Sequence, residues 1–177
     1  LDRQADAVLR RDATRRRGRH MTAPFPPTIA EAAAGLAAGD LTAAGLTELC
    51  LARIEALDVL VNAYHKVLKD EALASAAASD ARRAAGKDVG PLDGIPLAVK
   101  DVIQVENHAC TANSRVLQDN IADTDAGVIA CLRAAGAVIL GIVDTYEFAF
   151  GGRPTHDALF PPACNPWDVT KIGRAHV

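Results

Sequence analysis

The sequence has 177 residues, of which 50% are apolar and 23% are charged, a balance that excludes a disordered chain. The formal net charge of −3 gives no reason to expect a nucleic-acid partner, and no apolar run approaches the roughly 20 residues of a membrane span. The four cysteines are far apart and form no C-x-x-C pair. We therefore expect no metal, no cofactor and a reduced, cytoplasmic protein.

Residues 1–20 differ from the rest because they hold seven arginines and three aspartates. We interpret them as a non-native or disordered basic lead before a start at Met21; the alternative is an organelle transit segment. Residues 21–170 are then the folded part. Residues 171–177 are interpreted as an artefactual tail, because the sequence from Ile172 onward resembles the translation of a sequencing-adapter read-through.

Helix signals dominate residues 28–85. Thr28 and Glu31 form a capping box for a helix that ends at Gly39, and Thr42 caps the next helix. The predicted buried face of that second helix is Leu46, Leu49, Cys50, Ile54 and Leu57. A short strand is predicted around Asn62, within residues 59–68. An alanine-rich helix over 70–85 follows, with Asp80 and Arg83 three residues apart as an exposed ion pair.

The stretch from Gly90 to Ile103 is the most informative part of the chain. Glycines and prolines form a turn, and the apolar run Ile95–Val99 then predicts a fully buried strand. Lys100 follows that run directly. A lysine on a buried strand is paired, reaches water, or is kept neutral for chemistry.

A second strand completes a βαβ unit. Residues 123–125 predict the start of a helix that runs to about residue 135, and residues 137–141 predict a buried strand after it. The two strands should be parallel. Residues 146–152 are predicted as a helical turn or loop, and Asn165–Asp168 as a turn with Trp167 as its anchoring aromatic.

The other reactive side chains are predicted to be inert. His65, His108 and His156 are interpreted as surface or loop residues without partners. Cys110 has no neighbouring group that would activate its thiol. Cys50 and Cys131 are assigned to apolar helix faces.

Four segments, in this order and spacing, resemble the amidase signature family: Gly90–Asp101, Leu132–Gly141, Glu147–Gly152 and Asn165–Asp168. The resemblance implies an α/β fold in which a mixed sheet is wrapped by helices. Residues 21–170 would be a partial amidase domain, the incomplete N-terminal part of that fold. Members of the family hydrolyse amides with a Ser–cis-Ser–Lys triad, and by this resemblance Lys100 is the triad lysine.

The resemblance also implies roles for other residues. Ser114 lies in a loop that the family uses near the substrate, with a turn-capping hydroxyl as the alternative. Gly151 and Gly152 would let the backbone approach a substrate, or form a plain turn. Asp101 should point to the opposite strand face from Lys100 and have a structural role.

The expected function is therefore that of an amidase fragment. The Gly/Ser-rich segment that supplies the two triad serines in the family does not follow Asp168, so the 177-residue chain is expected to be inactive. The alternatives are a fragment of the glutaminase-type component of a tRNA amidotransferase and a non-catalytic polypeptide. The expected partners are a small-molecule amide and either a second copy in a homodimer or amidotransferase subunits, with no direct nucleic-acid or membrane contact.

Overall fold

The computed structural model describes residues 28–87, 89–150 and 159–172. The predictions for residues 1–20, His156, Gly151, Gly152 and residues 173–177 lie outside these ranges. The elements are, in chain order, α1 Ile29–Ala38, α2 Ala43–Val61, β1 Tyr64–Val67, α3 Lys69–Ala84, β2 Pro96–Lys100, a 3₁₀ turn Arg115–Leu117, α4 Gly127–Ala134, β3 Val138–Val143, a 3₁₀ turn Glu147–Ala149, β4 Cys164–Asn165 and β5 Asp168–Ile172.

The predicted caps of the first two helices are confirmed. The Thr28 hydroxyl accepts a hydrogen bond from the Glu31 amide, and Gly39 ends α1 with a φ of 79°. The Thr42 side chain accepts from the amide of Gly45 at the start of α2. Each hydroxyl pairs with an amide that has no partner within its helix.

The strand predicted around Asn62 is wrong over residues 59–61, which belong to α2. That helix ends at Asn62, whose φ of 51° is left-handed, and the Asp58 carboxylate accepts from the Ala63 amide at 2.7 Å. Asparagine tolerates this conformation better than most residues, so the helix stops there and β1 begins at Tyr64.

Helix α3 confirms the predicted alanine-rich helix but not its ion pair. The Asp80 carboxylate lies against the start of α2, where it accepts from the amides of Ala43 at 2.7 Å and Ala44 at 3.0 Å. Arg83 instead contacts Asp93. The prediction of an exposed Asp80–Arg83 pair is therefore wrong, because both side chains bind other elements.

The main sheet has the strand order β1-β3-β2. β2 is parallel to β3, as predicted, and β1 is antiparallel to it. β3 is buried over Val138–Ile142, and at Gly141 any Cβ would overlap the Lys66 carbonyl of β1. β2 is an outer strand whose Ala98 is exposed. The prediction of a fully buried strand is therefore wrong for β2 and right for β3.

Apolar side chains cover both faces of this sheet. One cluster joins α1, α2 and α3 to Val138 and Leu140, and the other packs Ile129 of α4 against Val99 and Ile139. The α/β class and the mixed sheet wrapped by helices are thus confirmed. On α2 the buried positions are Ala43, Leu46, Thr47 and Leu51. Leu57 is 38% exposed, so its assignment to the buried face is wrong.

Helix α4 begins later than predicted. It starts at Gly127 and has no acidic residue in its first turn. The carboxylate of Asp125 accepts instead from the Glu106 amide at 2.8 Å and from Arg133 Nε at 2.8 Å. Cys131 is exposed on this helix, so its assignment to an apolar face is wrong.

The last described element is the hairpin β4–β5, whose strands are antiparallel. Pro166 and Trp167 form its turn, which confirms the predicted turn. Trp167 is 91% exposed and therefore does not anchor it. Across the described ranges, the helices are all too short or too polar to traverse a bilayer.

Candidate active site at the carboxyl ends of β2 and β3

The turn that leads into β2 is held by a buried carboxylate. Asp93 is 2% exposed; it accepts from the Ser79 hydroxyl at 2.6 Å and pairs with Arg82 and Arg83. The Gly94 amide donates to the carbonyl of Gly136 at 2.9 Å, which joins this turn to the α4–β3 turn. β2 therefore begins from a point fixed to both neighbouring helices.

Lys100 is the last residue of β2 and is half-buried. It lies opposite Val143 in the parallel ladder. Its carbonyl accepts from the amides of Val102 at 2.7 Å and Ile103 at 3.0 Å, so the chain turns sharply directly after it. The predicted lysine thus lies at the carboxyl end of a strand, a position where the fold fixes the backbone. Its catalytic role stays a prediction.

Asp101 is buried and makes a dense set of hydrogen bonds. Its carboxylate accepts from the Thr111 amide at 2.8 Å, from the Thr111 hydroxyl, and from the Asn113 amide at 3.4 Å. Its own amide donates to the Val143 carbonyl at 3.0 Å. These contacts tie the loop of residues 109–114 to the strand end and support the predicted structural role.

His65 contradicts its predicted surface position. Its side chain is 5% exposed and lies between two carboxylates, with Nδ1 3.3 Å from Asp101 and Nε2 3.0 Å from Asp144. Its ring also stacks on Phe160, with the ring centroids 3.9 Å apart. We call His65, Asp101 and Asp144 the His65 cluster. A cavity of about 160 Å³ borders it.

The cluster shifts two pKa values in opposite directions. Burial alone would lower the pKa of His65, but its hydrogen bonds and charge interactions with Asp101 and Asp144 outweigh burial and raise it. Burial would raise the pKa of Asp101, but hydrogen bonds from His65 and Thr111 outweigh that effect and lower it. Both shifts favour the charged forms, an imidazolium beside a carboxylate.

His108 also has partners, against the prediction. It is 5% exposed, with Nδ1 3.3 Å from Lys66 Nζ and Nε2 3.0 Å from a Glu71 carboxylate oxygen. Nearby Cys110 fits its predicted inertness, because burial and the charge of Asp101 raise the pKa of its thiol. In the described part of the chain, no set of three or more His, Cys, Asp or Glu side chains is arranged to hold a metal.

Ser114 is 1% exposed and its hydroxyl already has partners. It donates to Glu147 at 2.7 Å and accepts from the Val116 amide at 3.4 Å, which caps a 3₁₀ turn. Phe148 follows Glu147 with a left-handed φ of 50°, and its amide donates to the Ala112 carbonyl at 2.9 Å. The turn-capping alternative describes this geometry, and substrate contact by Ser114 stays a prediction.

The sequence contains a signal for the two carboxylates of the His65 cluster. Asp101 and Asp144 come within three residues of the ends of two strands predicted to be parallel, so both carboxylates should lie near one sheet edge. Two buried carboxylates at one edge require a cation or a proton between them. No local pattern marks His65 as that group, because its partners are 36 and 79 residues away.

Comparison with known proteins identifies relatives. The family model described as Amidase matches residues 45–173. A glutamyl-tRNA(Gln) amidotransferase subunit of Chloroflexus aurantiacus is 46% identical over 145 residues, which are 82% of this chain and 30% of the relative. The peptide amidase of Stenotrophomonas maltophilia is 39% identical with a TM-score of 0.65, over 71% of this chain and 26% of that protein.

A third similar structure is a chain of a vestigial protein complex. That complex is described as revealing the evolutionary origins of an s-triazine catabolic enzyme. The matched chain is 37% identical with a TM-score of 0.77, over 82% of this chain and 32% of that one. The chain therefore spans about 30% of the length of the curated relatives that it matches.

Proposed function

The chain belongs to the amidase signature family, and from that membership we propose that it supplies the lysine base of a Ser–cis-Ser–Lys site for amide hydrolysis, with Lys100 in that role. The observation that supports it is the position of Lys100, half-buried at the end of a strand and followed by a hydrogen-bonded turn. A base acts efficiently only when its distance to the proton it takes is fixed.

The chemistry requires a neutral amine at some point in the cycle. A serine hydroxyl is a weak nucleophile and needs a base to take its proton. A neutral lysine amine takes that proton through the second serine of the triad, which bridges the nucleophilic serine and the lysine. The resulting ammonium later returns the proton to the leaving amine.

We further propose that the 177 residues alone do not hydrolyse amides. The serines of the sequence are Ser75, Ser79 and Ser114. Ser79 donates to Asp93, and Ser114 donates to Glu147. Ser75 lies on α3, within the helical layer. In this proposal none of these three serines acts as the nucleophile or as the second triad serine.

The second candidate is the glutaminase-type component of a glutamyl-tRNA(Gln) amidotransferase. Relatives described as subunits of that enzyme are 46% identical to this chain, more than the 39% of the peptide amidase. In that case the substrate amide would be glutamine, and the protein would act with the other amidotransferase subunits. In the first case it would act on a small-molecule amide, alone or as a homodimer. For either function we propose a cytoplasmic location.

A chimera tests the role of Lys100. Residues 28–172 replace the matching segment of the Chloroflexus aurantiacus relative, and ammonia release is measured from glutamine and from simple aryl amides. We expect the chimera to be active and Lys100→Met to lower its rate at least about 10³-fold, because removing the base leaves the serine unactivated. The isolated 177-residue chain should release no ammonia.

The matched control is Lys87→Met, at an exposed lysine on the loop after α3. It should leave the rate unchanged. Activity in Lys100→Met close to that of the parent chimera would overturn the proposal. The same segment placed in the Stenotrophomonas maltophilia peptide amidase is the comparison: Lys100-dependent activity only in the amidotransferase scaffold would favour the second candidate, and activity in the peptide amidase scaffold would favour the first.

A further inference from the structure

The ends of all three strands of the main sheet meet at one imidazole. His65 belongs to β1, Asp101 directly follows β2, and Asp144 directly follows β3. The side chains of all three are at most 8% exposed. Beyond these side-chain contacts, the Asp101 amide donates to the Val143 carbonyl and the Asp144 amide to the Ala63 carbonyl. The His65 cluster therefore links β1, β2 and β3 to one another at one edge of the sheet.

The two carboxylates beside His65 favour one protonation state of its imidazole. Ionised carboxylates only accept hydrogen bonds, whereas a neutral imidazole has one donor and one acceptor nitrogen. Both ring nitrogens of His65 face carboxylate oxygens, at 3.3 Å and 3.0 Å. Only the imidazolium can donate to both, and its charge offsets part of that of the two buried carboxylates.

The cluster also holds the segment that leads to the β4–β5 hairpin. Phe160 stacks on the His65 ring at an interplanar angle of 21°. The Phe160 amide donates to the Asn113 side-chain oxygen at 3.3 Å, and the Ala163 amide donates to Asp144 at 3.1 Å. A change in the charge of His65 would thus reach both the strand ends and this segment.

We propose that His65, as a doubly protonated imidazolium, is the positioning residue that fixes the carboxyl end of β2, and with it Lys100, against β1 and β3. The link to catalysis rests on the proposed function of Lys100. His65 touches no reacting atom in this proposal and acts through Asp101, the residue next to the lysine.

The charges around His65 are consistent with this protonation state. Asp101 faces it from the end of β2 and Asp144 from the end of β3, while the segment from 159 to 163 presents only the uncharged Phe160 ring. Lys66, next to His65 on β1, directs its ammonium to His108 instead. The two carboxylates therefore dominate, and they raise the pKa of His65 despite its burial.

Nitrogen NMR on the full 177-residue chain tests the protonation state directly. At pH 6.5, the ordinary pKa of histidine, we expect both ring nitrogens of His65 to show imidazolium shifts and both ring protons to exchange slowly. His108, which is also buried but has one ring nitrogen near Lys66 Nζ and the other near Glu71, is the internal comparison in the same spectra. A predominantly neutral His65 ring at pH 6.5 would overturn the proposal.

Residue-resolved amide exchange tests the positioning role. His65→Phe keeps an aromatic ring for Phe160 to stack on but removes both donors. We expect exchange to accelerate at least 10-fold at the amides of Asp101, Asp144 and Ala163, with the interior of α2 unchanged. A uniform acceleration across the chain, or none at the strand ends, would refute it. His108→Gln, the matched variant, should leave the strand-end amides unchanged.

The link to Lys100 is tested in the chimera. Misplacement of a catalytic group by about 1 Å costs on the order of 10²-fold in rate, so His65→Phe should lower kcat by about that factor with KM little changed. A wild-type kcat in His65→Phe would refute the link. If the chimera has no Lys100-dependent activity while the NMR signals of the imidazolium are present, the proposed function fails and the imidazolium assignment stands.

Discussion

Two residues in contact, His65 and Asp101, give the folded chain opposite pH dependences. The pKa of His65 is raised above its ordinary value of 6.5, so its contribution to stability is complete below that value and is lost as the pH rises through the folded-state pKa. The pKa of Asp101 is lowered from 3.8. Its contribution is complete above that value and is lost as the pH falls through the folded-state pKa.

We therefore expect the free energy of unfolding to be greatest between about pH 4 and about pH 6.5, and to fall as the pH rises from there through the raised pKa of His65. Urea unfolding followed by circular dichroism at half-unit pH steps measures it. His65→Phe should remove the decline on the alkaline side, and Asp101→Asn should weaken the decline on the acidic side. Parallel curves for the wild type and His65→Phe above pH 6.5 would contradict this.

Residues whose partners are near in sequence were predictable. The Thr28–Glu31 capping box and the glycine that ends α1 depend on contacts within one turn. The partners of His65 and Asp80 are between 36 and 79 residues away, and single-sequence patterns do not record such pairings. For the same reason the sequence placed Lys100 at a strand end but did not reveal the His65 cluster beside it.

Among the elements, the turn before β2 depends most on one side chain. Asp93 is buried and bound by Ser79, Arg82 and Arg83. Removing one partner of a buried ion pair leaves the others uncompensated, and that typically costs about 3 kcal/mol or more. We expect Asp93→Asn to lower the free energy of unfolding by about 3 kcal/mol.

Denaturant titration of Asp93→Asn measures this change, and Asp119→Asn, at an exposed position, is its control. The control should change the free energy of unfolding by less than about 0.5 kcal/mol. Equal effects of the two substitutions would mean that the ion pairs of Asp93 add nothing to the turn.

The observed element boundaries differ from the predicted ones where a side chain binds a distant group in place of its own helix. Asp125 was expected in the first turn of α4, but its carboxylate binds Arg133 and the Glu106 amide, and the helix starts at Gly127. The β-branched residues Val59 and Val61 suggested a strand, yet they continue α2 until Asn62 ends it. Strand order was equally hidden, because local apolarity does not show that β3, rather than β2, is central.

At the scale of the whole molecule, apolar side chains lie exposed on several elements: Val116, Phe150 and Trp167 are 84%, 88% and 91% exposed. Within the described ranges, the outer edges of β1 and β2 carry no further strand of the main sheet. Exposed apolar groups and open strand edges promote association between chains.

We therefore expect the 177-residue chain to self-associate at micromolar concentration, which light scattering coupled to gel filtration would measure. The double substitution Phe150→Ser and Trp167→Ser should shift the distribution toward monomer. Lys87→Ser, at an exposed charged residue, is the control and should have little effect. A monomeric wild-type chain at all concentrations would contradict the expectation.

The carboxylate of Asp80 has a consequence for the order of folding. It satisfies the first amides of α2 from a position on α3, so the start of α2 is complete only after 36 further residues have been folded back onto it. A loop of that length has to close before the hydrogen bonds to Asp80 can stabilise the start of α2. We expect α2 to remain frayed at its start until the two helices dock, so that the pair folds as one cooperative unit.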